Sequence, residues 1–248
     1  MKQRVAIITG GLGGIGTEIC KHLADSRHQV VAADLAVRAE RVEQFKAEVA
    51  SYDGRIVFEA VDVSSHDSCA ALVERVRNAH GPIGVLVNAA GITRDVTLRK
   101  MTVEQWTDVM KVNLDGLFNM CRPVVESMCE TGFGRIVNIS SVNGQTGAFG
   151  QTNYSASKAG LHGFTMALAR EVARKGVTVN SVSPGYCRTP MVAKIPEDIR
   201  NQIIAQIPVG RIGEPGEIAR VVNFLAAPES GFITGANVPV NGGYFMDY

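Results

Sequence analysis

"TGGLGGIG" (residues 9–16) follows the apolar run "RVAIIT" (4–9) directly and opens the helical pattern "GIGTEICKHLA" (14–24). Strand, glycine turn and helix in that order form the local plan of a dinucleotide-binding βα unit, and the rest of the chain is read outward from it. Glycines let the backbone turn sharply and approach a pyrophosphate, whose charge the N-terminus of the following helix stabilises. Gly10, Leu12, Gly14, Ile15 and Gly16 are expected to make that contact. Eighteen residues past Gly16, Asp34 stands at the end of the second apolar run, where a ribose-binding carboxylate belongs. Taken alone, Asp34 would be read as a solvated loop carboxylate; behind a glycine turn it is a cofactor ligand. Two further strand ends fit the same site. "VDV" (61–63) places Asp62 and Val63 for the adenine, and the small residues of "NAAG" (88–91) let backbone at Asn88, Ala89 and Gly91 approach the cofactor.

Apolar β-branched runs alternate with helical patterns along the whole chain. Strands are expected at 4–9, 29–33, 56–61, 83–88, 134–140 and 177–183, with a seventh at 237–243. Helical periodicity covers 14–24, 39–50 and 69–79, then a long helix from about Val103, then a helix running through 167–175. Strands that are apolar throughout are buried on both faces, which requires a parallel sheet joined by right-handed crossovers. The expected fold is therefore α/β: a Rossmann-like, doubly wound parallel sheet of about seven strands with helices on both faces. No linker or internal repeat divides residues 1–248, so one domain is expected. The proline-bearing segment 186–215 interrupts the alternation and reads as a substrate loop.

Lys plus Arg number 25 against 24 Asp plus Glu, so no basic field draws the protein to nucleic acid. The five cysteines form no C-x-x-C pair, which argues against a zinc site and for free thiols in a reducing compartment. No metal is expected. The first apolar run is too short for a signal peptide, and no run approaches a membrane span, so a cytoplasmic protein is expected.

"YSASK" (154–158) puts Tyr154 and Lys158 four residues apart, where a helix brings their side chains to one face. An ammonium beside a phenol stabilises the phenolate and lowers a pKa normally near ~10, making a proton donor and acceptor usable near neutrality. At the end of the fifth strand, Ser141 can hydrogen-bond a substrate oxygen where charge builds, with Ser140 as the alternative. Asn113, in "KVNLDGLF" (111–118), is an amide inside an apolar helix, read either as a satisfied core group or as a functional one.

Thr9, Gly10, Gly14 and Gly16, "NAAG", Ser141, "YSASK" and "SPG" (183–185) occur in the order found in the short-chain dehydrogenase/reductases, and the resemblance covers essentially all 248 residues. It departs from that family at Ala89, where Asn is usual. The resemblance implies that reduced nicotinamide delivers hydride to a carbonyl carbon while Tyr154 protonates the oxygen. It favours Ser141 over Ser140 as the group orienting that oxygen. Lys158 would bind the nicotinamide ribose, and Asn113 would hold a water that links Lys158 to solvent. "SPGYCRTPM" (183–191), with Pro184, Gly185 and Thr189, would close over the nicotinamide.

Within the family, "GITRDVTLRKMT" (91–102), "AFGQTNY" (148–154) and "SPGY" look most like the 3-ketoacyl thioester reductases, nearest to the acetoacetyl-CoA reductases of polyhydroxybutyrate synthesis. A 3-oxoacyl-carrier-protein reductase is the sibling reading. A sugar or polyol dehydrogenase and a non-enzymatic dinucleotide sensor are the rivals. Arg94, Arg99 and Lys100 form a basic cluster suited to coenzyme A phosphates, with a solvated charged loop as the alternative. Phe149 and Tyr186 are expected to wall a short acyl chain, Gln151 to bond the thioester carbonyl, and Asp95 to lie among these substrate residues. Asp34 repels a ribose 2′-phosphate, which favours NAD(H) over NADP(H), although Arg38 and Arg41 are near enough to reverse that. The resemblance also implies a homotetramer.

Overall fold

The computed structural model describes residues 4–36, 39–190 and 192–246. Arg38 and Met191 lie outside them. The strands are β1 (Val5–Thr9), β2 (Gln29–Asp34), β3 (Ile56–Ala60), β4 (Ile83–Asn88), β5 (Gly134–Ile139), β6 (Val177–Pro184) and β7 (Asn237–Val240). They form one sheet in the order β3-β2-β1-β4-β5-β6-β7, and each neighbouring pair is parallel. The helices are α1 (Gly14–Asp25), α2 (Ala39–Glu48), α3 (His66–His80), α4 (Val103–Met110), α5 (Gly116–Thr131), α6 (Asn143–Thr146), α7 (Thr152–Val172), α8 (Glu197–Gln206) and α9 (Pro215–Ala226).

Consecutive strand residues are apolar because each faces a different helical layer. Ile8, Val30 and Val87 pack with Ile19 and Leu23 of α1, Phe45 of α2 and Ile218 and Val222 of α9. Their neighbours Ile7, Val31 and Leu86 pack on the opposite face with Leu72 of α3, Met120 and Val124 of α5, and Leu161 of α7. Strand order reverses at β1, which pairs β2 on one side and β4 on the other, with Thr9 in register with Ala33 and Asn88. Such a reversal opens a crevice at the carboxyl ends of the strands, where ligands of this architecture bind.

Three expected boundaries differ. The long helix from Val103 is two helices joined by a π turn at Lys111–Asp115. A reciprocal cap between Thr102 and Gln105 fixes the start of α4, and the wide turn re-aims the residues after it, Asn113 among them. The seventh strand stops at Val240, because the chain turns away through Gly242 (φ +64) and Gly243 (φ +84). The helix through 167–175 ends at Val172 and tightens into a 3-10 turn. Segment 186–215 carries α8 within it.

All five cysteines are free, and burial pushes Cys187 up to about 11 and Cys69 and Cys121 to about 12, leaving inert thiols. Among the described residues, no helix is long and apolar enough to cross a membrane.

Candidate active site

The crevice floor is the contact between the glycine turn and the loop after β4. Gly10 has φ +66, and a Cβ there would lie 2.8 Å from Ala89 O and Ala90 N, so no other residue fits. Thr9 Oγ1 accepts the amides of Ala89 (3.1 Å) and Ala90 (3.2 Å), joining the ends of β1 and β4. A Cβ at Gly16 would overlap the Gly10 carbonyl oxygen. Gly13 is the N-cap of α1 and brings no side chain, so the amides at Gly14 and Ile15 stay open to an anion.

Asp34 accepts Leu12 N (3.1 Å) on one oxygen and Leu35 N (2.8 Å) on the other. A carboxylate has about four acceptor positions, so capacity for ribose hydroxyls remains. Arg41 lies along the back of the glycine turn, donating to Leu12 O (3.0 Å) and Thr17 Oγ1 (3.3 Å) and pairing with Glu48 (2.7 Å). At the rim, Asp62 accepts the amide and hydroxyl of Ser64, and buried Val63 is anchored by Asn119 through its carbonyl. Open amides, a cradle that a Cβ would fill and an acidic acceptor together suit a dinucleotide.

Lys158 is buried, and its Nζ donates to Ile139 O at 2.7 Å and lies 5.7 Å from the Tyr154 ring centroid. Burial alone pulls its pKa down to about 8. Ser141 Oγ accepts Asn143 N at 3.1 Å, and its hydroxyl is near enough to the Tyr154 phenol to oppose the rise of its pKa. Ser140 instead points into the protein, donating to Lys158 O (3.0 Å) and meeting His162 Nε2 (3.1 Å). The expected lowering of Tyr154 by Lys158 is corrected here. Burial raises the phenol, the Ser141 hydrogen bond opposes that rise, and the Asp95 carboxylate adds to it.

Asn113 accepts Ile92 N (2.8 Å) and donates to Ile92 O (3.0 Å) and Ser157 Oγ (3.1 Å), so the amide ties the π turn to the loop after β4 and to α7. A Cβ at Gly91 would lie 3.4 Å from Asn113 Oδ1 and 3.5 Å from Lys158 Nζ. Thr9, Asn88, Asn113 and Lys158 line a cavity of about 10 Å³, room for one water. Asn88 donates to Asn138 (2.9 Å), and its buried Oδ1 has no partner among the described residues.

On the substrate side, Asn143 donates to Gln151 Oε1 and Gln151 to Asp95 Oδ2, each at 2.9 Å. This chain of side chains links Ser141 to the loop at 91–102. Both ends of the Gln151 amide are thus engaged within the protein. Arg94 turns to its neighbour's carbonyl and, at 3.6 Å, to Asp108. Arg99 and Lys100 are exposed on a short turn, and Phe149 is 94% exposed. Tyr186 meets Tyr244 edge-on, with centroids 5.7 Å apart. Pro184 ends β6 and Gly185 packs against the backbone of Asn241. The side chains of Thr189 and Pro190 come over the glycine turn at Gly14.

The profile of the short chain dehydrogenase family matches residues 4–200. An acetoacetyl-CoA reductase of Allochromatium vinosum is 54% identical over 98% of this chain and 99% of its own length. One of Cupriavidus necator is 50% identical over 99% and 100%. A 3-oxoacyl-[acyl-carrier-protein] reductase of Pseudomonas aeruginosa is 44% identical over 99% of both. The chain belongs to the short-chain dehydrogenase family. A member of that family is an oxidoreductase that uses NAD or NADP.

Sequence reasoning missed several groups that shape this short-chain dehydrogenase site. Asn143 and Ser157 each lie within two residues of a motif residue, a proximity that would have flagged them. His162 is four residues past Lys158, the spacing that singled out Lys158 itself. Tyr244 left no signal, because its contact depends on how the chain returns after β7.

The buried lysine predicts a pH effect on stability. Its folded pKa of about 8 lies below its ordinary 10.5, so between those values the unfolded chain holds a proton that the folded protein has released. Stability therefore rises with pH in that window. In urea unfolding of the free protein, wild type should gain about 2 kcal/mol relative to Lys158→Met between about pH 7 and about pH 9.5. Equal pH dependence in the two proteins would mean that the ammonium is solvated.

Proposed function

We propose that this short-chain dehydrogenase reduces the 3-keto group of an acyl-coenzyme A thioester, acetoacetyl-CoA to 3-hydroxybutyryl-CoA. The observation that carries this reading is full-length identity of 50% or more to two proteins named as acetoacetyl-CoA reductases. The dinucleotide supplies the hydride. Ser141 donates a hydrogen bond to the keto oxygen, holding it beside the Tyr154 phenol. Burial keeps that phenol protonated near neutral pH, the form that can give a proton to the reduced oxygen. Lys158 places a positive charge beneath the phenol ring and retains donors for a ribose hydroxyl. Asn113, through Ile92 and Ser157, holds the walls around Lys158 and would carry the water that returns its proton.

Arg99 and Lys100 are the proposed phosphate grip, Phe149 and Tyr186 the walls of the acyl site, and Asp95 and Gln151 its polar edge. Segment 186–215 is the loop over that site, within one domain spanning the chain. The 44% identity to a carrier-protein reductase supports the sibling substrate as a second reading. We place the protein in the cytoplasm, as a source of hydroxyacyl thioester of the kind used in polyhydroxybutyrate synthesis. Turnover should be measured on acetoacetyl-CoA, a carrier-protein thioester, simple ketones, sugars and polyols. Acetoacetyl-CoA should give the highest kcat/KM; a polyol oxidised faster than any thioester is reduced would overturn the assignment.

NADH is the proposed cofactor. Asp34 accepts bonds from a free 2′-hydroxyl and repels a phosphate there, while Arg41 is already committed to Leu12, Thr17 and Glu48. Asp34→Ala should erode the preference for NADH over NADPH by about tenfold or more. A higher kcat/KM with NADPH in the unmodified protein would contradict this reading.

A homotetramer is proposed from the apolar side chains left outside on α4, α5 and α7, where Trp106, Phe118 and Met166 are 39%, 51% and 51% exposed. Sedimentation at micromolar concentration should give four times the chain mass; a monomer would refute it.

A further inference from the structure

His162 is a half-buried titratable group that the chemistry above does not use. It sits on α7 one turn beyond Lys158, between the residue that follows β5 and the middle of β6. Its Nε2 lies 3.1 Å from Ser140 Oγ and its Nδ1 lies 3.2 Å from Ser181 Oγ. Counting protons gives the direction of each bond. Ser140 Oγ stands 3.0 Å from Lys158 O, and two oxygens rest that close only with a proton between them. The Ser140 hydroxyl therefore donates to the carbonyl and accepts from His162 Nε2–H. With the ring neutral, Nδ1 is then the unprotonated nitrogen, with Ser181 Oγ beside it at 3.2 Å. Ser181 Oγ also lies 3.0 Å from Asn237 Oδ1 and 3.5 Å from Ala236 O, so its hydroxyl is shared among the ring and these two oxygens. Burial and the charge on Lys158 both lower the pKa of the ring, which supports its neutral form.

Lys158 is thereby tied at both ends to one short piece of chain. Its Nζ holds Ile139 O at 2.7 Å, and its main-chain oxygen is held by Ser140, the next residue. Ser141 follows, its Oγ accepting the amide of Asn143. The rotamer of Ser140 thus joins the strand end that presents Ser141 to the helix that presents Tyr154 and Lys158. We propose that His162 is a positioning residue for this catalytic group, its Nε2–H locking the Ser140 hydroxyl onto Lys158.

The inference rests on the catalytic reading of Ser141, Tyr154 and Lys158, and two isosteric substitutions test it. His162→Gln keeps a donor where Nε2 stands; His162→Asn reaches only the Nδ1 position, towards Ser181. In acetoacetyl-CoA reduction with NADH, the Gln variant should stay within about threefold of wild-type kcat. The Asn variant should fall about tenfold or more, with KM nearly unchanged in both. Their Tm values should be similar, since both leave comparable volume and polarity. Wild-type kcat in His162→Asn, or equal losses in the two variants, overturns the proposal. Should His162→Asn fail to fold, Ser140→Ala removes the same link from the other side; it should show the same drop in kcat, and an unchanged kcat overturns the proposal. Ser141→Ala, measured alongside, separates the two levels. Full activity there strikes the catalytic reading and this inference with it, whereas an inactive Ser141→Ala beside a wild-type-like His162→Asn strikes this inference alone.

Discussion

A single ammonium group, Lys158 Nζ, is held beneath the crevice by the carbonyl of the last residue of β5, and much of the site is arranged around the need to keep it there. A buried cation is costly unless it is bonded, and removing a partner leaves the charge exposed to a low dielectric. Room for it is cleared by two glycines, one in α6 and one in the loop after β4. A Cβ at Gly144 would lie 2.8 Å from Lys158 Cβ, and one at Gly91 would lie 3.5 Å from Nζ. The glycine and amide richness around 88–91 and 141–147 is therefore not loop filler. It is the space that one long cationic side chain occupies on its way to Ile139.

The carboxyl ends of the strands carry a belt of neutral polar groups under that cation. Asn88 binds Asn138, which binds Thr165; Ser140, His162 and Ser181 run beside them. Such networks are stiff when their members are paired, because each unpaired group in a low dielectric would be expensive. The two faces of the sheet below are apolar and supply the burial. The polar belt gives the strand ends fixed positions, so that the glycine turn, Ser141 and the Tyr154 helix meet in one crevice.

Much of this was legible in the chain itself. β1 to β6 announce themselves by runs of apolar, mostly β-branched residues, nearly unbroken in β1 and β4 and interrupted by Asn138 in β5 and by Asn180 and Ser181 in β6. Tyr154 and Lys158 announce themselves because four residues is one helical turn. The π turn did not, since a wider turn needs no special residue; the amide of Asn113 amid apolar neighbours was its one trace. The direction of the Tyr154 shift was missed for a related reason. Spacing reveals that a lysine is near, but not that the phenol is desolvated or that Asp95 comes round from the loop after β4. Arg41 likewise looked free in sequence and is committed to the back of the glycine turn. What remained hidden was long-range: which side chain a loop brings beside which.

The central claim is that the Tyr154 phenol is the proton donor to the substrate oxygen. Single-turnover reduction of acetoacetyl-CoA by enzyme preloaded with NADH measures that step apart from binding and release. With Tyr154→Phe, which keeps the ring and deletes the hydroxyl, the turnover rate should fall by about 10²-fold or more while NADH affinity stays near that of wild type. A single-turnover rate close to wild type in that variant would contradict the account.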